Sequence, residues 1–380
     1  MKGFKYTIVK LFLFLIALCL SIGLYRLESF GFPFTQEALQ KGIVLVALLC
    51  IMLTAGIKQN VNPVLMAGSY CLISSVFIGD DWGLYATSFF GFSLSWLVLN
   101  IRWAYPPEDI LKYVSSISLL SSAFGVLLYM LGDSICRLEQ SGTCRLLGGL
   151  TPAHLGFLAF YGVVACSIRI ADYNRGVILL AANLLICLLT FSRVASTLSV
   201  VTVLLLIFIY SKRKSVKALN RVLATLVSVP AIVVLSVLVA IALLDRTVDS
   251  DGLIDTSGRL VAWEYFVDAG LRRPWFGYGS GASLTLTEDT ASYFFSVPHN
   301  EFIHYFYDVG LLGASAIFSS LIYLFWRTIA SAKVASKPIL KLLAVQIFVY
   351  CLTDNVMSTI QSTLPLALIF WYFQARAARA

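Results

Sequence analysis

The chain has 380 residues, of which 59% are hydrophobic and 13% charged, with a formal net charge of +8. This balance excludes a soluble globular chain, which needs polar side chains to cover its core. The apolar residues are grouped into runs of roughly 17 to 23, the length of a helix crossing about 30 Å of hydrocarbon.

In chain order the first run is 6–25, preceded by Lys2 and Lys5 and containing Lys10. It lacks a small-residue cleavage site and eleven similar runs follow it, so it reads as a retained helix and not a removed signal peptide. Further spans are predicted over 42–57, 63–79, 83–101, 110–131 and 153–168, then 176–191, 194–210 and 222–244, and last 302–326, 339–353 and 356–373. The predicted fold is all-α: a single polytopic membrane domain, 1–380, of about twelve transmembrane helices.

Orientation follows the bias of lysine and arginine. With the N-terminus in the cytoplasm, 19 of the 28 basic residues fall on that side, including Lys212, Arg213, Lys214, Lys217 and Arg221, and both termini are cytoplasmic. The positive charge is thus a topology signal, and no nucleic-acid partner is read from it.

Six of the eight cysteines lie in apolar spans, where a thiol acts as a small hydrophobe. Cys136 and Cys144 share the polar segment 132–152 on the outer side, where an oxidising compartment permits a disulfide; two separate thiols are the alternative.

The longest connection, 245–300, is an outer loop between the ninth and tenth spans, with eight acidic residues and four arginines. Within it, 257–267 has apolar residues at helical spacing, with Ser257 as a cap, which predicts a short amphipathic helix at the membrane surface ending near Gly270. Pro274 to Gly281 follows, with glycines suited to a tight turn, a hinge or close approach to a ligand.

Chemistry is sought among a few side chains. Only His154, His299 and His304 are present, and a centre of three histidines would need all of them, so no metal site is assigned to them. Asp249-Ser250-Asp251 has the carboxylate spacing of a divalent-metal site, with ordinary loop acids as the alternative. His299 stands after Pro298 at the water–membrane boundary, where a neutral imidazole can accept a proton from a hydroxyl. Arginine binds phosphate oxygens with two parallel hydrogen bonds. Arg193 lies in the tight outer connection between the seventh and eighth spans, as an anion contact or an interface anchor. Arg259 falls in the first turn of the predicted loop helix, where it opposes the macrodipole unless an anion is bound. Arg272 and Arg273 suit a helix C-terminus.

These motifs resemble the O-antigen ligase and polymerase superfamily of bacterial envelope glycosyltransferases. Its ligases carry His, then Asn, Ser or Gln, nine residues, Gly, two residues, and Gly, Thr or Tyr; His299-Asn300, Gly310 and Gly313 match. Ser192-Arg193, Gly258-Arg259, Trp263 and 274–281 resemble the family's other features in order and spacing.

The resemblance implies a cofactor-free, metal-independent, inverting transfer of a glycan from undecaprenyl pyrophosphate to an acceptor hydroxyl, on the periplasmic face of the inner membrane. The acceptor would be lipid A core for a ligase, or a growing glycan for an O-antigen or exopolysaccharide polymerase, with other envelope polysaccharide proteins as partners. His299 would be the general base and Arg193 and Arg259 the pyrophosphate contacts, with Arg272 in second rank. Asn300, Glu301, Tyr278 and Trp263 would support them. The rival classes are a saccharide transporter, which would place charge near the bilayer midplane, and a structural assembly protein.

Overall fold

A computed structural model of the chain describes residues 2–23, 26, 36–58, 62–78, 81–103, 106–138, 143–212, 259–285 and 298–379. Helices α1 (Lys2–Ser21), α2 (Gln36–Ala55), α3 (Pro63–Val76), α4 (Trp82–Trp96) and α5 (Glu108–Met130) come first. A hairpin of β1 (Cys136–Leu138) and β2 (Cys144–Leu146) follows, then α6 (Pro152–Tyr173), α7 (Val177–Leu189) and α8 (Arg193–Lys212). After them come α9 (Arg259–Leu271), α10 (Glu301–Ser331), α11 (Lys337–Cys351) and α12 (Ile360–Ala377). Every predicted span on described residues coincides with a helix. The ninth, 222–244, lies outside the described residues, as do Arg213, Lys214, Lys217, Arg221, Ser257, Gly258 and the Asp249–Asp251 motif.

Among the described residues, six helices are long and apolar enough to cross a membrane: Phe4–Ser21, Trp82–Asn100, Glu108–Met130, Pro152–Tyr173, Arg193–Tyr210 and Glu301–Ser331. Shorter apolar helices cover Leu39–Ala55, Pro63–Val76 and Val177–Leu189. The chain is a multi-pass membrane protein. Its outer helices turn large apolar side chains outward, among them Leu11, Val46, Leu53, Met66 and Ile73, as lipid-facing surfaces do.

α6 and α12 sit at the centre, buried along nearly their whole lengths. Lipid is as apolar as leucine, so helix association here rests on close packing and interhelical hydrogen bonds more than on burial from water. Asn183 on α7 shows both. Its amide donates to Ser115 O on α5 at 2.9 Å, and its carbonyl accepts from Ser118 Oγ at 2.5 Å. Gly162 on α6 faces that amide, where a Cβ would collide with it.

Gln346 on α11 donates to Leu198 O at 2.8 Å and to Thr202 Oγ1 at 3.0 Å on α8. These bonds fix the antiparallel register of the two helices. Arg193 lies about 13 Å of helical rise before Thr202 on α8, and Ser192 beside it is turned towards Tyr350 at the end of α11. The start of α8 is therefore level with the end of α11.

The hairpin pairs Cys136 with Leu146 and Leu138 with Cys144, and Cys136 and Cys144 form a disulfide, their Cα atoms 5.5 Å apart. Of the two sequence readings, the bridge is the one found. Arg145 Nε donates to Thr190 O at 2.9 Å, which sets the hairpin at the end of the bundle where α8 begins.

Candidate active site

α9 forms where the loop was predicted to turn helical. It buries Ala262, Phe266 and Gly270, spaced i, i+4, i+8, against α10. Gly270 is small because Phe306 lies where a side chain would go. The helix is not amphipathic in the expected sense, since Leu260 and Val261 are exposed as well.

Trp263 Nε1 donates to Pro298 O at 2.6 Å, tying α9 to the approach of α10. The next residue, His299, adopts φ 47°, a left-handed conformation that costs a non-glycine residue roughly 1–2 kcal/mol. Asn300 then caps α10, accepting from Phe302 N at 3.0 Å and Ile303 N at 3.3 Å. The strained residue thus stands between two fixed points.

The connection 352–359, between α11 and α12, meets this corner. His299 Nδ1 lies 3.2 Å from Asp354 Oδ1, and Arg259 Nη1 donates to Thr353 O at 2.7 Å. Adjacent residues therefore hold the two predicted groups. Burial pushes the Asp354 carboxyl up, but the hydrogen bond and charge of His299, the Asn355 N–H and the Arg259 guanidinium outweigh burial and hold it below the usual carboxylate range. An ionised carboxylate can only accept, so Nδ1 carries the proton, and Nε2 is the nitrogen that accepts whenever the ring is neutral.

Arg193 begins α8 at the same level, and Ser192 is turned towards Tyr350, four residues before Asp354. Arg193, Arg259 and His299 thus share one end of the bundle.

Arg272 and Tyr278 do not join them. Arg272 lies roughly 220° around and about 20 Å along α9 from Arg259. It lines a separate cavity of about 270 Å³ with Tyr265, Asp268, Tyr278 and Tyr307. There Tyr278 stacks on Tyr307, and Arg273 lies over the Tyr278 ring.

Glu301 has a larger role than the supporting one expected of it. It is wholly buried, and its Oε1 accepts from Met357 N at 2.5 Å, Ser358 N at 2.9 Å and Ser358 Oγ at 3.1 Å. Its Oε2 lies 3.1 Å from His304 Nδ1, and His304 Nε2 lies 3.1 Å from Asp308 Oδ2. Asp308 in turn accepts from Gly281 N and Ser283 N, each at 2.8 Å. Asp308, an acidic group within an apolar span, is therefore bound to neighbouring backbone and imidazole.

The glycines of the predicted turn serve close approach. Gly277 lies against the backbone of Tyr307 and Asp308, and Gly310, φ 64°, interrupts α10 against the backbone of Trp275 and Phe276. A cavity of about 330 Å³ is lined in part by Lys41, Ser88, His304, Asp308, Asn355 and Ser358. Among the described residues no group of three His, Cys, Asp or Glu side chains is placed to hold a metal ion.

Thr353, Asp354, His304 and Asp308 were missed as site residues. Their signals were present: 353–355 is a polar break between apolar runs, and Glu301, His304 and Asp308 fall at i, i+3 and i+7 on one helical face.

Residues 177–318 match the family model described as O-antigen ligase. The match spans α7, α8, α9 and the first part of α10, and takes in Arg193, Arg259, Arg272 and His299. The resemblance read from the His299 motif holds over this segment. No curated protein matches the chain.

Proposed function

Proceeding from that family match, we propose that the chain is a membrane glycosyltransferase moving a glycan from undecaprenyl pyrophosphate to an acceptor hydroxyl, with lipid A core as the acceptor. One observation carries the reading: Thr353 and Asp354 hold the Arg259 guanidinium and the His299 imidazole side by side. A cation pair for a departing pyrophosphate and a base for an incoming hydroxyl are the parts this reaction needs.

In the reaction, His299 Nε2 takes the proton of the acceptor hydroxyl as its oxygen bonds to the anomeric carbon of the donor sugar. The bond from that carbon to the pyrophosphate oxygen breaks, and undecaprenyl pyrophosphate leaves with both electrons. Arg259 and Arg193 stabilise the charge that gathers on it. A single displacement inverts the anomeric centre. The guanidinium groups carry the leaving-group charge, so the transfer proceeds without a divalent metal.

The Cys136–Cys144 disulfide supports the periplasmic side for this chemistry, since such bonds persist in oxidising compartments and the hairpin stands at the same end as Arg193. The test is reconstitution of purified protein with a lipid-linked glycan and lipid A core. One undecaprenyl pyrophosphate released per glycan transferred is expected. No transfer to any glycan acceptor would sink the reading.

A further inference from the structure

Three titratable groups on one face of α10 are buried deeper than anything the transfer itself uses. Glu301 is 0%, Asp308 2% and His304 5% exposed. Burying two carboxylates and an imidazole costs several kcal/mol of desolvation unless each group finds partners. Here each does: Glu301 is bound to Met357, Ser358 and His304, and Asp308 to His304, Gly281 and Ser283.

A second catalytic histidine is the obvious reading of His304, and its bonding argues against it. One ring nitrogen faces Glu301 and Ser358, the other faces Asp308. Taking a substrate proton would first require breaking one of these contacts. What the group does instead follows from where its ends attach. One end holds the backbone of 357–358, in the connection that carries Thr353 and Asp354. The other holds the backbone of 281–283, after the glycine turn that packs on α10.

We propose that Glu301, His304 and Asp308 are positioning residues, a buried relay that fixes the 352–359 connection and through it the presentation of His299 and Arg259. The inference rests on the reading of His299 as the base. Apolar side chains could fill the same volume, but they could not bind the N–H groups of Met357 and Ser358. Without those bonds Asp354 is free to shift, and a shift of about 1 Å at a reacting group costs up to about a hundredfold in rate.

The test is a double-variant cycle on the full-length protein in nanodiscs, reading kcat for glycan transfer at equal folded protein. Glu301→Met, which fills the volume but cannot accept from Met357 N and Ser358 N, and Asp354→Asn should each lower kcat about tenfold to a hundredfold. If the relay acts through Asp354 and His299, the double variant should be no slower than the slower single one. A merely structural carboxylate would give losses that multiply, and that result overturns the proposal. So does wild-type kcat for Glu301→Met.

Where Glu301→Met fails to fold, His304→Gln carries the test. It should lose kcat severalfold and again show no added loss over Asp354→Asn. A fully active His299→Ala would sink the assignment of the base and the relay together. An inactive His299→Ala with multiplying losses sinks the relay alone.

Discussion

His299 Nδ1 stands 3.2 Å from Asp354 Oδ1, although 55 residues separate them in the chain. For the proposed base, the contact bears on which ring nitrogen acts. With Nδ1–H directed at an ionised carboxylate, the lone pair on Nε2 remains. Asp354→Asn preserves the shape but offers an amide that can favour the other tautomer. A fall in kcat of about tenfold to a hundredfold is expected, in the same direction as the larger effect of this change in a Ser-His-Asp triad. Transfer rates measured at equal protein check it, and a loss below threefold would remove Asp354 from the site.

The same carboxylate makes a stability prediction with a definite sign. Its folded-state pKa is depressed, so its contribution is complete above the unfolded carboxylate range near ~3.9 and is lost as pH falls through the lower folded value. Melting in detergent should therefore show no Asp354-dependent change between about pH 5 and 8. Below about pH 4 the wild type should lose stability faster than Asp354→Asn. Parallel melting curves for the two proteins down to acid pH would contradict this.

Arg259 makes one hydrogen bond to a carbonyl, Thr353 O, and no ion pair among the described residues. Lysine keeps the charge at this position and loses the planar fork. Arg259→Lys should lower kcat/KM for the lipid-linked donor about tenfold to a hundredfold, the scale of one or two charge-assisted hydrogen bonds. The KM for the acceptor should stay near wild type. Arg272→Gln is the internal comparison. Its side chain lines the tyrosine cavity, so its effect on donor kcat/KM should be well below that of Arg259→Lys. Equal losses would mean that one substrate reaches both arginines.

The sequence made the helices legible because lipid imposes a length and an apolar composition that survive in one dimension. It also made His299, Arg259 and the glycines legible, since their spacing resembles a known motif. The partners of those residues were another matter. Asp354 lies in a polar break that reads equally well as an ordinary span end, and only the packing of α11 and α12 brings it to His299. Glu301, His304 and Asp308 were visible as a helical face, but the start of an apolar span masked it. Arg272 shows the opposite failure. Its charge suggested a phosphate contact, and the helical rotation from Arg259 carries it to a different cavity.

The interruption of α10 at Gly310 yields the last prediction. At φ 64° and ψ −173° the residue leaves the helical region, and a Cβ there would meet the backbone of Trp275 and Phe276. Leu311 N donates to Pro274 O at 2.8 Å beside it, so the helix break and the 274–277 turn are built against each other. Alanine at 310 has to bear both the left-handed backbone and the collision, a loss of at least about 1–3 kcal/mol. Its effect should reach beyond stability, because the displaced turn carries Gly281 and Ser283, the backbone partners of Asp308. Gly310→Ala should therefore melt lower and transfer more slowly even at temperatures where it is fully folded. Gly313→Ala is the comparison at the second motif glycine, where a Cβ would meet Val309 Cβ and Cγ2 at 2.6 Å but the backbone need not leave the helical region. A Gly310→Ala protein that is destabilised yet transfers at the wild-type rate when folded would show that the break serves folding alone.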